Sequence, residues 1–172
     1  MSEISAQTGP VRLFVRQPFT ESKDHDQSVV ADVLNQLVEL SGHPRRLELL
    51  TGVKAQSAAT FRSSFEVETG QKFSPCGFRN HRLSLLSKAD GFINIRTGMS
   101  ESSAFELSYH IFRGTCSPIL FLVSKRAPIK TTLLQDLQDL CDVTYMEFED
   151  PKELNDGLQE FIARCRVKFP SR

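Results

Sequence analysis

The stretch GFINIRTGMSESSAFELSYHIFRGTCSPILFLV, residues 91–123, contains a strand, a turn, a helix and a second strand in immediate succession. GFINI at its start is short and apolar, and PILFLV at its end is a strongly apolar run, as in the middle of a parallel sheet. Between them, a Ser-rich turn leads into a helix that we predict over about residues 103–113, stopped by Gly114. Strand, helix and strand in this order are typical of a βαβ unit.

The same alternation continues on both sides of this unit. Further strands are predicted at residues 11–15 (VRLFV), 45–50 (RRLELL, weakened by its charges) and 143–148 (VTYMEF). Helical spacing of apolar residues predicts helices at about 26–40, 78–90, 131–141 and from Asp150 onward. About five alternations indicate an α/β doubly wound (Rossmann or flavodoxin-like) fold, a five-stranded, mostly parallel sheet with helices on both faces.

Three finer expectations go with these elements. In residues 55–76 we expect a short helix and a polar loop, with Pro75 and Gly77 as breaks. TTLLQDLQDLC, residues 131–141, is expected to place its leucines on one helical stripe. Asp150 and Pro151 are expected to begin the last helix as N-cap and first helical residue.

Length and composition predict one globular domain. The chain has 172 residues, of which we assign 1–10 to a disordered polar tail and 11–172 to a single domain. It has 21 basic and 21 acidic residues, so its formal net charge of zero draws it to neither a nucleic acid polymer nor an anionic membrane. No apolar run could span a bilayer, and MSEISAQTGP lacks the layout of a signal peptide. We therefore expect a cytoplasmic protein.

The cysteines and histidines do not form a metal-binding pattern. The four cysteines include no C-x-x-C pair, and none lies at ligand spacing from a histidine. We therefore expect buried, reduced thiols and no metal site.

The doubly wound fold directs attention to three loops. Ligands bind such sheets at the carboxyl ends of the strands, near the point where the strand order reverses. The loops at that edge are RQPFT (16–20), RTGMSESS (96–103) and SKRAPIKTT (124–132). The second loop offers hydroxyls at a helix N-terminus, which suits a phosphate or a sugar. Arg96 in this loop and Arg16 in the first add positive charge.

Glu106, at the start of the predicted helix, has two interpretations. Ser103 and Glu106 have the spacing of a capping box, with Ser103 as N-cap and Glu106 at N3. Alternatively Glu106, partly desolvated by Phe105 and Phe19, is a nucleophile or the electrostatic partner of a sugar cation. His110, on the same helix, is expected at the surface.

The segment HRLSLLSKADGFINIRTGMSESSAFELSYHIFRGTCSPILFLV, residues 81–123, resembles the core of the nucleoside 2-deoxyribosyltransferase family, which includes nucleotide N-glycosidases such as the CMP and hydroxymethyl-dCMP hydrolases. The resemblance rests on KAD, the apolar strand GFINI, the small-residue loop leading to Glu-Leu, then RG and PILFLV. RLFVRQPF is similar to the first strand and turn of the family.

This resemblance implies an N-glycosidase or (deoxy)ribosyltransferase without metal or organic cofactor, acting on a nucleotide or nucleoside as a homodimer or larger assembly. It implies that Glu106 is the catalytic glutamate, that Ser100 contacts a 5′-phosphate, and that the backbone of Ser102 approaches the same group. The predicted substrate-binding residues are Arg16, Gln17, Phe19, Arg82, Arg96, Ser100, Ser102 and Ser103.

The sequence also departs from the family pattern. Arg82 stands where the family usually carries an aspartate, and Arg16-Gln17 replaces small residues of the first loop. Two alternatives therefore remain open: a TIR-like NAD-cleaving domain, which SAFELS faintly resembles, and a catalytically silent nucleotide-binding or scaffold module, in which Glu106 serves only as a helix cap.

Overall fold

The computed structural model describes residues 9–16, 24–40, 47–51, 60–98, 100–114 and 117–168. Its strands are β1 (Val11–Arg16), β2 (Leu47–Leu49), β3 (Gly91–Arg96), β4 (Ile119–Ser124) and β5 (Val143–Phe148). Its α-helices are α1 (Asp24–Leu40), α2 (Phe61–Thr69), α3 (Pro75–Lys88), α4 (Glu101–Phe112) and α5 (Asn155–Lys168). Short 3-10 turns occupy Thr132–Leu134, Leu137–Asp139 and Pro151–Leu154.

The five strands form one sheet in the order β2-β1-β3-β4-β5, and every neighbouring pair is parallel. This confirms the predicted doubly wound α/β fold. The chain leaves β1 toward β2 on one side and returns to β3 on the other, so the strand order reverses between β1 and β3. In register, Arg16 at the end of β1 lies beside Asn94 of β3. The crevice at this edge is where such a fold binds ligands.

Two hydrophobic cores cover the two faces of the sheet. Because side chains alternate along a strand, Leu13 and Val15 of β1 pack with the apolar residues of α1 and α5. Phe14, between them, packs on the other face with Leu86 of α3 and Leu107 of α4. Arg16 is two residues after Phe14 in β1, so its side chain lies on the same face of the sheet, the face that α3 and α4 cover.

The prediction of a helix at residues 131–141 is wrong. Two 3-10 turns occupy this segment, and Asp136 between them has a left-handed backbone with φ of 52°. Leu133 is 83% exposed, so the apolar residues do not form one buried stripe. Instead, the hydroxyl of Tyr145 donates to the carbonyl of Leu134 at 2.8 Å, a tertiary contact that a continuous helix would lose.

Gly77 is not a break, because it lies in the first turn of α3, whereas Pro75 does mark a boundary, the start of this helix. Ser74 is the N-cap and accepts from the backbone N–H of Gly77 at 3.0 Å, which leaves Pro75 as the first helical residue. Proline suits that position because it lacks only an N–H that the helix does not use. The Asp150 cap, by contrast, is confirmed, although its first turn is a 3-10 turn.

The cysteine prediction holds in part. Cys165 of α5 is fully buried, but Cys76 in the first turn of α3 is exposed. Cys141 is partly buried, and Cys116 lies outside the described residues. None of the three described cysteines forms a disulfide.

Three broader expectations stay predictions. The single-domain assignment and the cytoplasmic location are untested, and the disordered tail falls mostly on residues 1–8, outside the described part of the chain. Among the helices that the structure describes, none is both long and apolar enough to cross a bilayer.

Candidate functional site

Glu106 is buried in the second turn of α4 and lies between two arginines. Arg82 of α3 donates from Nε to Oε1 at 2.8 Å and from Nη2 to Oε2 at 3.1 Å. Nε of Arg16, at the end of β1, lies 3.1 Å from Oε2. All three side chains are less than 15% exposed. The fold thus collects one carboxylate and two guanidinium groups from three elements at the carboxyl edge of the sheet.

Ser100 extends this cluster toward the start of α4. Nη2 of Arg16 donates to Oγ of Ser100 at 2.9 Å, and the same Oγ accepts from the backbone N–H of Ser103 at 3.4 Å. Burial lowers the pKa of the Arg16 guanidinium, an effect that the Glu106 carboxylate opposes and that Arg82 reinforces. Arg16 stays protonated nonetheless, because an arginine does not lose its proton in a protein.

The predicted capping box between Ser103 and Glu106 is wrong. The N-cap of α4 is Ser100, so the helix begins at Glu101 and Ser103 already lies in its first turn. Glu106 is then too far into the helix to reach an unpaired N–H at its start. Its carboxylate pairs with arginines instead, so it does not serve as a helix cap.

Asn94 of β3 belongs to the site although we did not predict it. It is 5% exposed, and its Oδ1 accepts from the hydroxyl of Ser103 at 3.1 Å. This bond connects the first turn of α4 to β3, at the position where β3 lies beside Arg16 of β1. The signal was available, because Asn94 is the one polar residue within the apolar run GFINI, and a buried amide needs a partner.

The ring of Phe14 packs against the cluster of Glu106 and its two arginines. The guanidinium carbon of Arg82 lies 4.6 Å from the centre of the Phe14 ring, within cation–π range. Phe105, which we expected to shield Glu106 partly from water, is 52% exposed. Phe19, the other predicted screen, lies outside the described residues.

The remaining predicted site residues are more peripheral. Arg96 ends β3 half-buried, and burial lowers the pKa of its guanidinium. Within the described residues, its Nε has no hydrogen-bond partner. Ser102 is exposed on the first turn of α4, and Gln17 lies outside the described residues. In the described part of the chain, no three His, Cys, Asp or Glu side chains group as metal ligands would.

His110 is not the surface residue that we predicted. It is 3% exposed near the end of α4, far from the carboxyl edge, with Nε2 3.0 Å from Oγ and 3.3 Å from the carbonyl oxygen of Ser117. Its ring also lies against Phe92, with 5.5 Å between the ring centres. Burial lowers the pKa of the imidazole. We assign it to the core rather than to the site.

No protein-family model matches the sequence, and no curated protein matches it significantly. Solved structures do match. The CMP N-glycosidase BcmB of Clostridium botulinum superposes with a TM-score of 0.59 at 16% identity, over 87% of this chain and 98% of that one. BlsM superposes with a TM-score of 0.63 at 15% identity, over 96% and 97%.

A third structure, the 2-deoxyribosyltransferase of Bacillus psychrosaccharolyticus, has a TM-score of 0.50 at 18% identity, over 84% of this chain and 90% of that one. At these identities the similarity establishes a common architecture. It spans between 84% and 96% of this chain. The chain therefore has the nucleoside 2-deoxyribosyltransferase-like fold that its central segment resembles.

Proposed function

We propose that this protein cleaves the N-glycosidic bond of a nucleotide or nucleoside, or transfers the sugar, with Glu106 as nucleophile. The observation that carries the proposal is the position of Glu106, a buried carboxylate at the crevice between β1 and β3. The fold shared with an N-glycosidase and a deoxyribosyltransferase supports the same chemistry.

The reaction follows from the groups at this edge. A carboxylate oxygen of Glu106 attacks the anomeric carbon, and the bond to the base breaks with its electron pair going to the base, which takes a proton from water. Water, or a second base in a transferase, then displaces the carboxylate from the glycosyl ester. The reaction as written needs neither metal nor organic cofactor.

Arg16, Arg96 and the serines of the loop would hold the sugar or its phosphate. Arg16 and Ser100 are already joined beside Glu106, and the N-terminus of α4 adds the favourable end of its dipole. A phosphate bound there would place the sugar near the carboxylate. Gln17, Phe19 and Ser102 remain predicted contacts.

A second candidate is a nucleotide-binding module without catalysis. The two-point contact of Arg82 with Glu106 favours it, because a carboxylate held in this way is a poor nucleophile. The TIR-like alternative remains a prediction, and NAD in the assay below tests it.

The deciding experiment is base release from ribo- and deoxyribonucleosides, their 5′-monophosphates and NAD. Glu106→Asp keeps the charge that balances the arginines but withdraws the carboxylate by one methylene group, so we expect base release to fall at least about 100-fold. Glu160→Gln, at an exposed position within α5, is the control and should match the wild type. Release that is equal in wild type and Glu106→Asp would refute the role of Glu106.

We also propose that the chain forms a homodimer, as the resemblance implies. Phe105 and Phe112 of α4 are 52% and 83% exposed and lie seven residues apart, on one side of the helix. Exposed aromatic side chains of this kind often mark contact surfaces. Sedimentation equilibrium of the wild type and of Phe105→Ser/Phe112→Ser tests this: the wild type should be a dimer and the variant a monomer.

A further inference from the structure

The described structure holds Glu106 in an arrangement that does not favour attack on a sugar. Three guanidinium nitrogens surround its two oxygens: Nε and Nη2 of Arg82, and Nε of Arg16. A carboxylate has about four lone-pair positions for such contacts. Two of the three contacts come from Arg82, which approaches both oxygens at once.

Arg82 also opposes the charge of the transition state. As the N-glycosidic bond breaks, the sugar develops positive charge at the anomeric carbon. A guanidinium that stays in contact with both oxygens of Glu106 places a like charge beside that carbon, in a site sheltered from water. Reaction at Glu106 is therefore favoured when Arg82 moves away from at least one carboxylate oxygen.

An anion on the substrate is the chemistry that would draw Arg82 away. Guanidinium binds phosphate with the same two-point geometry with which it binds carboxylate. The Arg82 side chain is long and flexible, and its guanidinium lies 4.6 Å from the centre of the Phe14 ring in the free protein. Arg16 and Ser100 would keep Glu106 and the helix start in place after Arg82 has moved.

From this we propose that Arg82 determines specificity. In the free protein Arg82 pairs with Glu106 and blocks it, and when a phosphorylated nucleoside binds, Arg82 releases Glu106 and pairs with the phosphate. This inference rests on the proposed function. Arg82 is here a specificity residue that contacts Glu106 in the free protein and the substrate phosphate in the complex. Phosphorylated substrates separate Arg82 from Glu106, whereas neutral nucleosides leave this ion pair intact.

The first test does not depend on turnover. The Nε–H signal of Arg82, assigned by its loss in Arg82→Lys, is followed by NMR during titration with each 5′-monophosphate and each matching nucleoside. We expect at least one monophosphate to shift this signal and no nucleoside to do so. No shift with any monophosphate at millimolar concentration, or an equal shift with a nucleoside, overturns the proposal.

The second test measures specificity by kinetics. We expect wild-type kcat/KM to favour the monophosphate over its nucleoside by about 100-fold or more, the scale on which a charged polar contact discriminates. Arg82→Ala should raise kcat on the nucleoside and raise KM for the monophosphate, so that the preference shrinks at least about tenfold. Arg79→Ala, an exposed arginine one turn earlier in α3, is the matched control and should keep the wild-type preference.

The outcomes separate the two proposals. Base release without preference for the monophosphate, or a preference unchanged in Arg82→Ala, overturns the role of Arg82 and leaves the proposed function standing. A shifted Arg82 signal without release from any compound supports the exchange of partners and refutes catalysis. No release and no shift refute both.

Discussion

Arg82 contacts both carboxylate oxygens of Glu106, with Nε 2.8 Å from Oε1 and Nη2 3.1 Å from Oε2. The two residues are 24 positions apart and join α3 to α4 across the face of Phe14. The contact has two consequences. Loss of either partner leaves the other charge buried and unbalanced, which destabilises the fold, and the contact decides whether the carboxylate can react.

Removing the charge of Glu106 should destabilise the fold strongly. Glu106→Gln leaves the guanidinium groups of Arg16 and Arg82 buried without their counter-charge, so we expect the free energy of unfolding to fall by about 3–5 kcal/mol. Urea unfolding measures it, with Glu160→Gln, at an exposed position within α5, as the control that should change stability by less than about 0.5 kcal/mol.

A double-mutant cycle shows whether this loss comes from Arg82. In Arg82→Gln/Glu106→Gln one stranded cation is gone, so the double variant should be more stable than the sum of the single losses implies, by at least about 1 kcal/mol. Losses that add to within about 0.5 kcal/mol would show that the contact carries little energy.

His110 should make stability depend on pH. Burial holds the pKa of the folded imidazole below its usual value of about 6.5. The unfolded chain therefore binds a proton more readily, and stability is lost as the pH falls below about 6.5. Between that value and the folded pKa, the slope should approach about 1.4 kcal/mol per pH unit.

The measurement is urea unfolding of the wild type and His110→Gln between pH 5 and 8. Both curves contain the contributions of all other groups, so the difference between them isolates His110. Ser108→Gln, an exposed substitution on the same helix, should reproduce the wild-type slope. A His110→Gln curve parallel to the wild type would contradict the prediction.

Gly91→Ala should overpack the core between β3 and α5. A Cβ at Gly91 would lie 2.6 Å from Sγ of Cys165 and 3.1 Å from the Phe161 ring. Overpacking of this kind costs about 1–3 kcal/mol. In thermal unfolding, Gly98→Ala, where a Cβ meets nothing within 4 Å, is the control and should remain near the wild type. Cys165→Ala should recover part of the loss in the Gly91→Ala background, and a strictly additive double variant would exclude this contact as the cause.

Asp90→Asn should loosen the start of β1. The Asp90 carboxylate accepts from the backbone N–H of Arg12 at 2.8 Å and from its guanidinium at 2.9 and 3.1 Å. An amide accepts on one oxygen only and turns N–H groups toward the guanidinium, so we expect a loss of about 1–3 kcal/mol in urea unfolding. Asp139→Asn, at an exposed position, should leave stability unchanged, and an equal loss in both variants would contradict the role of the Arg12 contact.

The strands could be predicted because their signal is local and strong. PILFLV is a short continuous apolar run, as expected of a strand that is covered on both faces, and β4 is buried at every position. The end of the sheet that carries the site followed from the alternation of elements, which requires parallel strands. Helix starts were less certain: Ser100, Ser102 and Ser103 can each cap a helix, and the sequence does not rank them. Ser100 is the residue that caps the helix, and it also accepts a hydrogen bond from Arg16, a residue 84 positions away.

Local pattern failed where tertiary contacts decide. TTLLQDLQDLC has helical spacing, yet Tyr145 and the left-handed Asp136 favour two 3-10 turns. The sequence showed that Arg82 departs from the family pattern, but it did not show that Glu106 is the partner of this charge.

The sequence by itself determined the alternation of strands and helices, the edge of the sheet where the loops meet, and the presence of Glu106 on the helix that follows one of them, because burial of apolar periodic segments is a local property. Only the tertiary structure decided that Glu106 pairs with Arg82 and Arg16 rather than capping its helix. Ion pairs form between side chains that the fold brings together, and separation along the chain does not reveal them.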